Sequence, residues 1–251
     1  MGIIKHGGSM KKNKNGKIAI VIIMIVITIV LTSIITINVK GKKVIYKDRI
    51  IKQVEKKATI EEIKKKENIL FLGDSITEIY PIDSIYNDLP VVKSGVSGFK
   101  TTDILDRMND MVYQYNPTQV FLLIGTNDFR SNVDDETIRQ TIKNIKKIIS
   151  NIKENRKKAK IYLESIYPVN KKINTNNIIE ARNNDLIKKI NKELNEYCDE
   201  NDITYINMYD ELIDKDGNFN KDYTYDGLHP STLGYAKITE ILTKYIYGIE
   251  E

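Results

Sequence analysis

Hydrophobic residues recur along this chain in three patterns. From Ile18 to Ile37, twenty residues carry no charge and are almost all Ile, Val, Leu or Met, interrupted by Thr28, Thr32, Ser33 and Thr36. At about 1.5 Å per residue such a run crosses the roughly 30 Å hydrocarbon core as one helix. A buried core helix would show a polar face, which this run lacks. A cleaved signal peptide would have an apolar region of only about 7–15 residues ending in small residues. Here the run is longer, and Thr36-Ile37-Asn38-Val39-Lys40 offers no such site. Residues 18–37 are therefore expected to be an uncleaved membrane anchor.

The second pattern is short and recurrent. Apolar runs at Asn68–Leu72, Pro90–Val92, Val120–Ile124, Ile161–Glu164 and Ile203–Ile206 are bounded by Gly, Pro, Asn or Asp, as buried strands should be. The third pattern lies between them at helical spacing. Ile104, Leu105, Met108, Met111 and Val112 follow Thr101-Thr102-Asp103, which suits a helix start. Ile138, Ile142, Ile145, Ile149 and Ile152 keep a 3.6 period, as do Leu186, Ile190, Leu194 and Tyr197, with Cys198 beside that stripe. A last helix is expected over Thr232–Tyr247. Strands separated by helices imply parallel pairing through right-handed crossovers, hence a three-layer α/β/α sandwich on a mostly parallel five-stranded sheet. The ligand crevice of such a sheet lies beyond the carboxyl ends of its strands.

Charge divides the chain in the same place. Of 39 Lys and Arg and 34 Asp and Glu, residues 1–66 hold sixteen basic and four acidic, a balance of +12. By subtraction from the total of +5, residues 67–251 carry −7. The basic excess belongs to a tail and stalk, where a phosphate-rich membrane surface is the simpler partner, and nucleic acid is not expected. The chain thus reads as a basic tail (1–17), an anchor (18–37), a charged stalk (38–66) and a globular domain (67–251). Within the stalk, Ile51, Val54, Ala58 and Ile63 are loosely helix-spaced, and a short helix or a solvated spacer fits equally. Positive residues on the two sides of the span would by count put the domain inside. A long domain, however, translocates largely regardless of charge, and Met10-Lys11-Lys12-Asn13-Lys14 reads like a short basic export start. An extracytoplasmic domain is expected, with Met1 or Met10 as the start. Position 6 is His, which argues against N-myristoylation at Gly2.

One cysteine excludes a disulfide framework or zinc–thiolate cluster, and two histidines leave little for a metal site, so neither metal nor cofactor is expected. Fifteen tyrosines without tryptophan suit carbohydrate stacking and ordinary packing alike.

The strand ends hold the chemistry. The first strand runs into Gly73-Asp74-Ser75-Ile76-Thr77, presenting a hydroxyl at the crevice, although Asp-Ser after Gly is also ordinary turn or cap chemistry. The second is followed by Gly95-Val96-Ser97-Gly98, where glycines let the backbone approach a ligand. The third delivers Gly125-Thr126-Asn127-Asp128, an amide donor or an Asx-turn. Near the C-terminus stands Tyr225-Asp226-Gly227-Leu228-His229-Pro230. His229 is the one histidine of the globular part, and Asp226 lies close enough to hold its second ring nitrogen. Acyl transfer needs these parts: a hydroxyl, an imidazole to take its proton, a carboxylate to orient the imidazole, and donors for an oxyanion.

In this order, Gly-Asp-Ser, Gly-x-Ser-Gly, Gly-Thr-Asn-Asp and Asp-Gly-Leu-His resemble the SGNH (GDSL-type) esterase/lipase superfamily. The forms Gly-Asp-Ser-Ile-Thr and Gly-Thr-Asn-Asp are closest to its acetylhydrolase-like branch. Ser165–Asn170 and Asp216-Gly217 resemble stretches of that branch as well, so the likeness covers roughly residues 67–247. It implies the flavodoxin-like SGNH fold, with Ser75 as nucleophile, His229 as general base and Asp226 orienting His229. The oxyanion donors it implies are the backbone N–H groups of Ser75 and Gly98 and the side chain of Asn127; Asp74 shapes the turn. Lys93 stands where the family often has Asn. The expected activity is a membrane-anchored serine esterase that removes short acyl groups, acetyl above all. Its substrate would be a small ester or an acylated glycan or lipid, with no obligate protein partner. An O-acyltransferase acting on cell-wall glycans with the same residues is the alternative, and a non-catalytic binding module the third reading.

Overall fold

The computed structural model describes residues 38–39, 42–43, 68–130, 133–173, 179 and 181–248. The chain separates into two units, residues 1–56 and 57–251. The expected tail, membrane span and stalk helix lie outside the described residues. Among the described residues no helix is long and apolar enough to cross a membrane. In the first unit, Asn38–Val39 pairs antiparallel with Lys42–Lys43.

The second unit is built on five parallel strands: β1 (Ile69–Gly73), β2 (Val91–Gly95), β3 (Gln119–Leu123), β4 (Lys160–Glu164) and β5 (Thr204–Ile206). Their order across the sheet is β2-β1-β3-β4-β5. The register sets Gly73 opposite both Gly95 and Leu123, which aligns the carboxyl ends of the first three strands.

Alternation along the strands sorts the core into two layers, because successive side chains point to opposite faces. Leu70, Leu72, Val120, Leu122, Ile161 and Leu163 face one way. They pack against α3 (Thr101–Asp106), α5 (Asp135–Asn155) and α6 (Asn184–Glu200). Ile69, Phe71, Phe121, Leu123 and Tyr162 face the other, against α1 (Ser75–Ile79), α7 (Met208–Leu212) and α8 (Thr232–Ile246). Between these run two short helices, α2 (Ile82–Ile85) and α4 (Met108–Met111). The three-layer sandwich expected from the sequence is present.

The long helices start where side chains cap them. Asp134 accepts the Thr137 N–H at 2.7 Å, and Asn183 accepts that of Leu186 at 2.7 Å. The apolar run after residue 101 departs from one continuous helix. Asp103 caps the Lys100 N–H at 2.7 Å, so the helix begins at Thr101. It breaks at Arg107, whose N–H bonds back to the Ile104 carbonyl and whose guanidinium carbon lies 5.2 Å from the Phe99 ring centre. The short helices α1, α2 and α7 are too brief to leave a periodic signal.

Phe71, Phe121 and Tyr162 are register partners on adjacent strands. Their rings stack in a row, with centroids 5.1 Å and 4.5 Å apart. This ladder fills the space under α8, and its central member has the most to lose. Phe121→Ala is expected to cost about 3–5 kcal/mol, read from urea unfolding.

At the end of β4, Glu164 is buried and accepts the Tyr167 hydroxyl at 2.6 Å. Burial raises its carboxyl from 4.5 to about 7, outweighing that hydrogen bond. The folded state therefore holds this proton more tightly than the unfolded chain, and its advantage is lost as pH rises between those values. Unfolding titrations should show Glu164→Gln losing less stability than the parent over that window.

Candidate active site

The turn after β1 depends on missing side-chain volume. A Cβ on Gly73 would lie 2.3 Å from the Leu123 carbonyl oxygen, and one on Gly95 would lie 2.4 Å from the Glu78 nitrogen. Without them, α1 seats directly on the strand ends. Asp74 is its N-cap, accepting the Ile76 N–H at 3.0 Å, so the expectation that it shapes the turn holds. Ser75 occupies the first helical position, where a backbone N–H has no partner within its own helix. Two hydroxyl contacts fasten α1 and its following residue to α8: Tyr235 donates to the Ile76 carbonyl at 2.8 Å, and Tyr80 meets Thr239 at 2.8 Å.

His229 arrives from the loop before α8. Thr224 shapes that loop, its hydroxyl donating to the His229 carbonyl at 2.7 Å and accepting the Gly227 N–H at 2.9 Å. Gly227 has φ +87°, and a Cβ there would lie 2.3 Å from the Asn170 carbonyl oxygen. Its own carbonyl accepts the Asn170 N–H at 2.8 Å. The loop is thereby held against the segment that follows β4.

The two ends meet. Ser75 Oγ lies 2.9 Å from His229 Nε2, and His229 Nδ1 lies 2.7 Å from Asp226 Oδ2. Asp226 Oδ1 accepts the backbone N–H groups of Leu228 at 2.9 Å and His229 at 2.7 Å. Burial alone would raise the Asp226 carboxyl. The hydrogen bonds from the His229 ring and from the two backbone N–H groups outweigh it, holding the group below the usual carboxylate range. A carboxylate that stays charged fixes the imidazole tautomer with its proton on Nδ1, leaving Nε2 to accept from the hydroxyl. The Tyr225 ring stacks on His229 with centroids 5.8 Å apart, 58% exposed at the mouth of the site.

The remaining expected residues line up across the strand ends. Asn127, buried in the turn after β3, donates from Nδ2 to the Phe99 carbonyl at 3.0 Å, so it joins the second loop to the third. Its neighbour Asp128 strengthens that join, accepting the Thr101 N–H at 3.1 Å and its hydroxyl at 2.6 Å. Burial raises the Asp128 carboxyl despite both bonds. Gly98 sits on the second loop at φ +81°. Glu78 of α1 accepts both the N–H and the hydroxyl of Ser97, tying this loop to the helix that carries Ser75. Lys93 points away from the site, its Nζ donating to the Tyr80 carbonyl at 3.3 Å beside Asp83.

Two residues at the site had no signal in the sequence: Glu78 belonged to none of the motifs, and Arg182 stood in an unpatterned stretch. Arg182 is nevertheless 1% exposed and bonds directly to Thr126 and Asn127. Contacts between residues 55 positions apart leave no local pattern.

Known proteins are similar to this chain in sequence and fold. The N-acylneuraminate cytidylyltransferase of Escherichia coli is 29% identical over 187 residues, 74% of this chain and 42% of that protein. The chain thus spans about two fifths of the cytidylyltransferases it matches. Subunit alpha2 of platelet-activating factor acetylhydrolase IB from Rattus norvegicus is 24% identical, over 74% of this chain and 79% of that protein. Among solved structures, a Streptococcus pneumonia protein provisionally described as a platelet activating factor is 30% identical with a TM-score of 0.67. That alignment covers 78% of this chain and 92% of the other. Residues 71–237 match the GDSL-like lipase/acylhydrolase family, a span that runs from the strand before Ser75 to the helix after His229. The chain belongs to that family.

Proposed function

We propose that the protein is a serine esterase that removes short acyl groups, acetyl above all, through Ser75, His229 and Asp226. The observation that carries this reading is the continuous chain of hydrogen bonds, 2.9 Å from hydroxyl to imidazole and 2.7 Å from imidazole to carboxylate. Ser75 Oγ attacks the acyl carbon while its proton passes to His229 Nε2. The carbonyl oxygen becomes an oxyanion, met by the N–H groups of Ser75 and Gly98 and by Asn127 Nδ2. Collapse expels the alcohol with the proton from His229 and leaves Ser75 acylated. Water, deprotonated by the same imidazole, then attacks the acyl-enzyme; collapse frees the acid and returns the proton to Ser75. Asp226 holds the imidazole in place and stabilises its charged form throughout.

The short acyl preference rests on the likeness to the rat acetylhydrolase subunit. The uncharged run over residues 18–37 supports a single membrane anchor, and the short basic stretch Met10–Lys14 before it supports an extracytoplasmic domain, acting on a small ester or an acylated glycan or lipid.

The full-length chain in detergent should hydrolyse p-nitrophenyl acetate, and Ser75→Ala should abolish turnover and labelling by a fluorophosphonate. Turnover equal to that of the parent would overturn the assignment. Asp226→Asn keeps the shape but reverses the preferred tautomer, and kcat should fall by about 10⁴-fold.

A further inference from the structure

Among the described residues, Arg182 is the largest side chain that is fully buried. A cation inside a protein is costly unless hydrogen bonds replace its hydration. Burial first, then repulsion from Arg130, lowers the guanidinium to about 10, while Asp74 opposes the fall, so the group stays charged at neutral pH. Three of its hydrogen bonds go to the turn after β3. Nε donates to the Thr126 carbonyl at 2.8 Å and to the Thr126 hydroxyl at 3.0 Å. Nη2 donates to Asn127 Oδ1 at 3.1 Å.

These contacts decide which way the Asn127 amide faces. The two ends of an amide have nearly the same shape and opposite chemistry. A guanidinium has only donors, so the end of Asn127 that meets it must be the oxygen. The Phe99 carbonyl can only accept, so the end that meets it must be the NH₂, at 3.0 Å. Both neighbours demand the same orientation. One hydrogen of the NH₂ is used on Phe99, and the second is left for a substrate oxygen. Reversed, the amide would lose both bonds and turn a lone pair toward the developing negative charge.

We infer that Arg182 is a positioning residue for the oxyanion hole, locking the Asn127 amide so that Nδ2–H faces the acyl oxygen. The inference rests on the oxyanion role given to Asn127 above. Because Arg182 acts through Asn127, its effect on turnover should vanish once that side chain is removed.

A double-mutant cycle on the full-length chain tests this, with p-nitrophenyl acetate as substrate and thermal melting to establish that each variant is folded. Asn127→Ala should lower kcat by about 10²–10³-fold, the cost of one oxyanion donor. Arg182→Met should lower kcat by about 10–10²-fold with KM within about twofold, since the lock acts in the transition state. The double variant should be no slower than Asn127→Ala, within about twofold. Arg182→Lys keeps the charge without the planar fork and should fall between the parent and Arg182→Met. If Arg182→Met does not fold, the same cycle is read with the lysine variant. Factors that multiply in the double variant, or parental kcat in the folded Arg182 variants, overturn the inference and leave the esterase reading standing. Parental kcat in Asn127→Ala removes the oxyanion assignment itself, and the inference with it.

Discussion

The arrangement depends on how closely a short helix can approach the ends of three strands. Gly73 and Gly95 are register partners, and each would drive a Cβ into backbone within 2.4 Å. With no side chain there, α1 sits against the sheet and Ser75 emerges at its first turn. A larger residue would lift α1 from the sheet and carry the hydroxyl away from the imidazole, which is anchored independently by Thr224, Gly227 and Asn170. The hydrogen bond between residues 154 positions apart therefore reports the fit of two separately held loops.

Charge in the site is answered by nearby donors or acceptors, from within its own loop for Asp226 and from a neighbouring loop for Asp128 and Arg182. Asp226 is answered by two backbone N–H groups and a ring nitrogen, Asp128 by Thr101, and Arg182 by Thr126 and Asn127. Asp74 is answered less completely. Burial raises its carboxyl to about 6 against the opposing pull of the Ile76 N–H, His229 and Arg182. The bonds that satisfy Asp128 and Arg182 are also bonds that join separate segments, so there desolvation and positioning are solved together.

The tyrosines differ in where they sit. Tyr80, Tyr86, Tyr162, Tyr167 and Tyr235 are buried in the layer under α8, where their rings pack and several hydroxyls find partners. Tyr225 alone among those named is exposed, flat against the imidazole at the mouth. Burial makes Tyr a packing residue; exposure beside His229 makes it a wall of the site.

By itself, the amino-acid order determined the layer architecture and the candidate chemistry. Alternation and 3.6-residue periodicity are local properties, so the five strands, α5, α6 and α8 could be read from their own residues. The glycine-bounded motifs were legible for the same reason, since a turn announces itself within a few positions. Helix α1 was not, being only five residues long, and neither was the break at Arg107. Tertiary structure alone decided that Ser75 and His229 face each other, that Glu78 and Asp128 stitch loops together, and that Arg182 stands behind Asn127. Those are contacts between distant segments, set by strand register and close backbone approach, and neither leaves a trace in any short stretch of sequence.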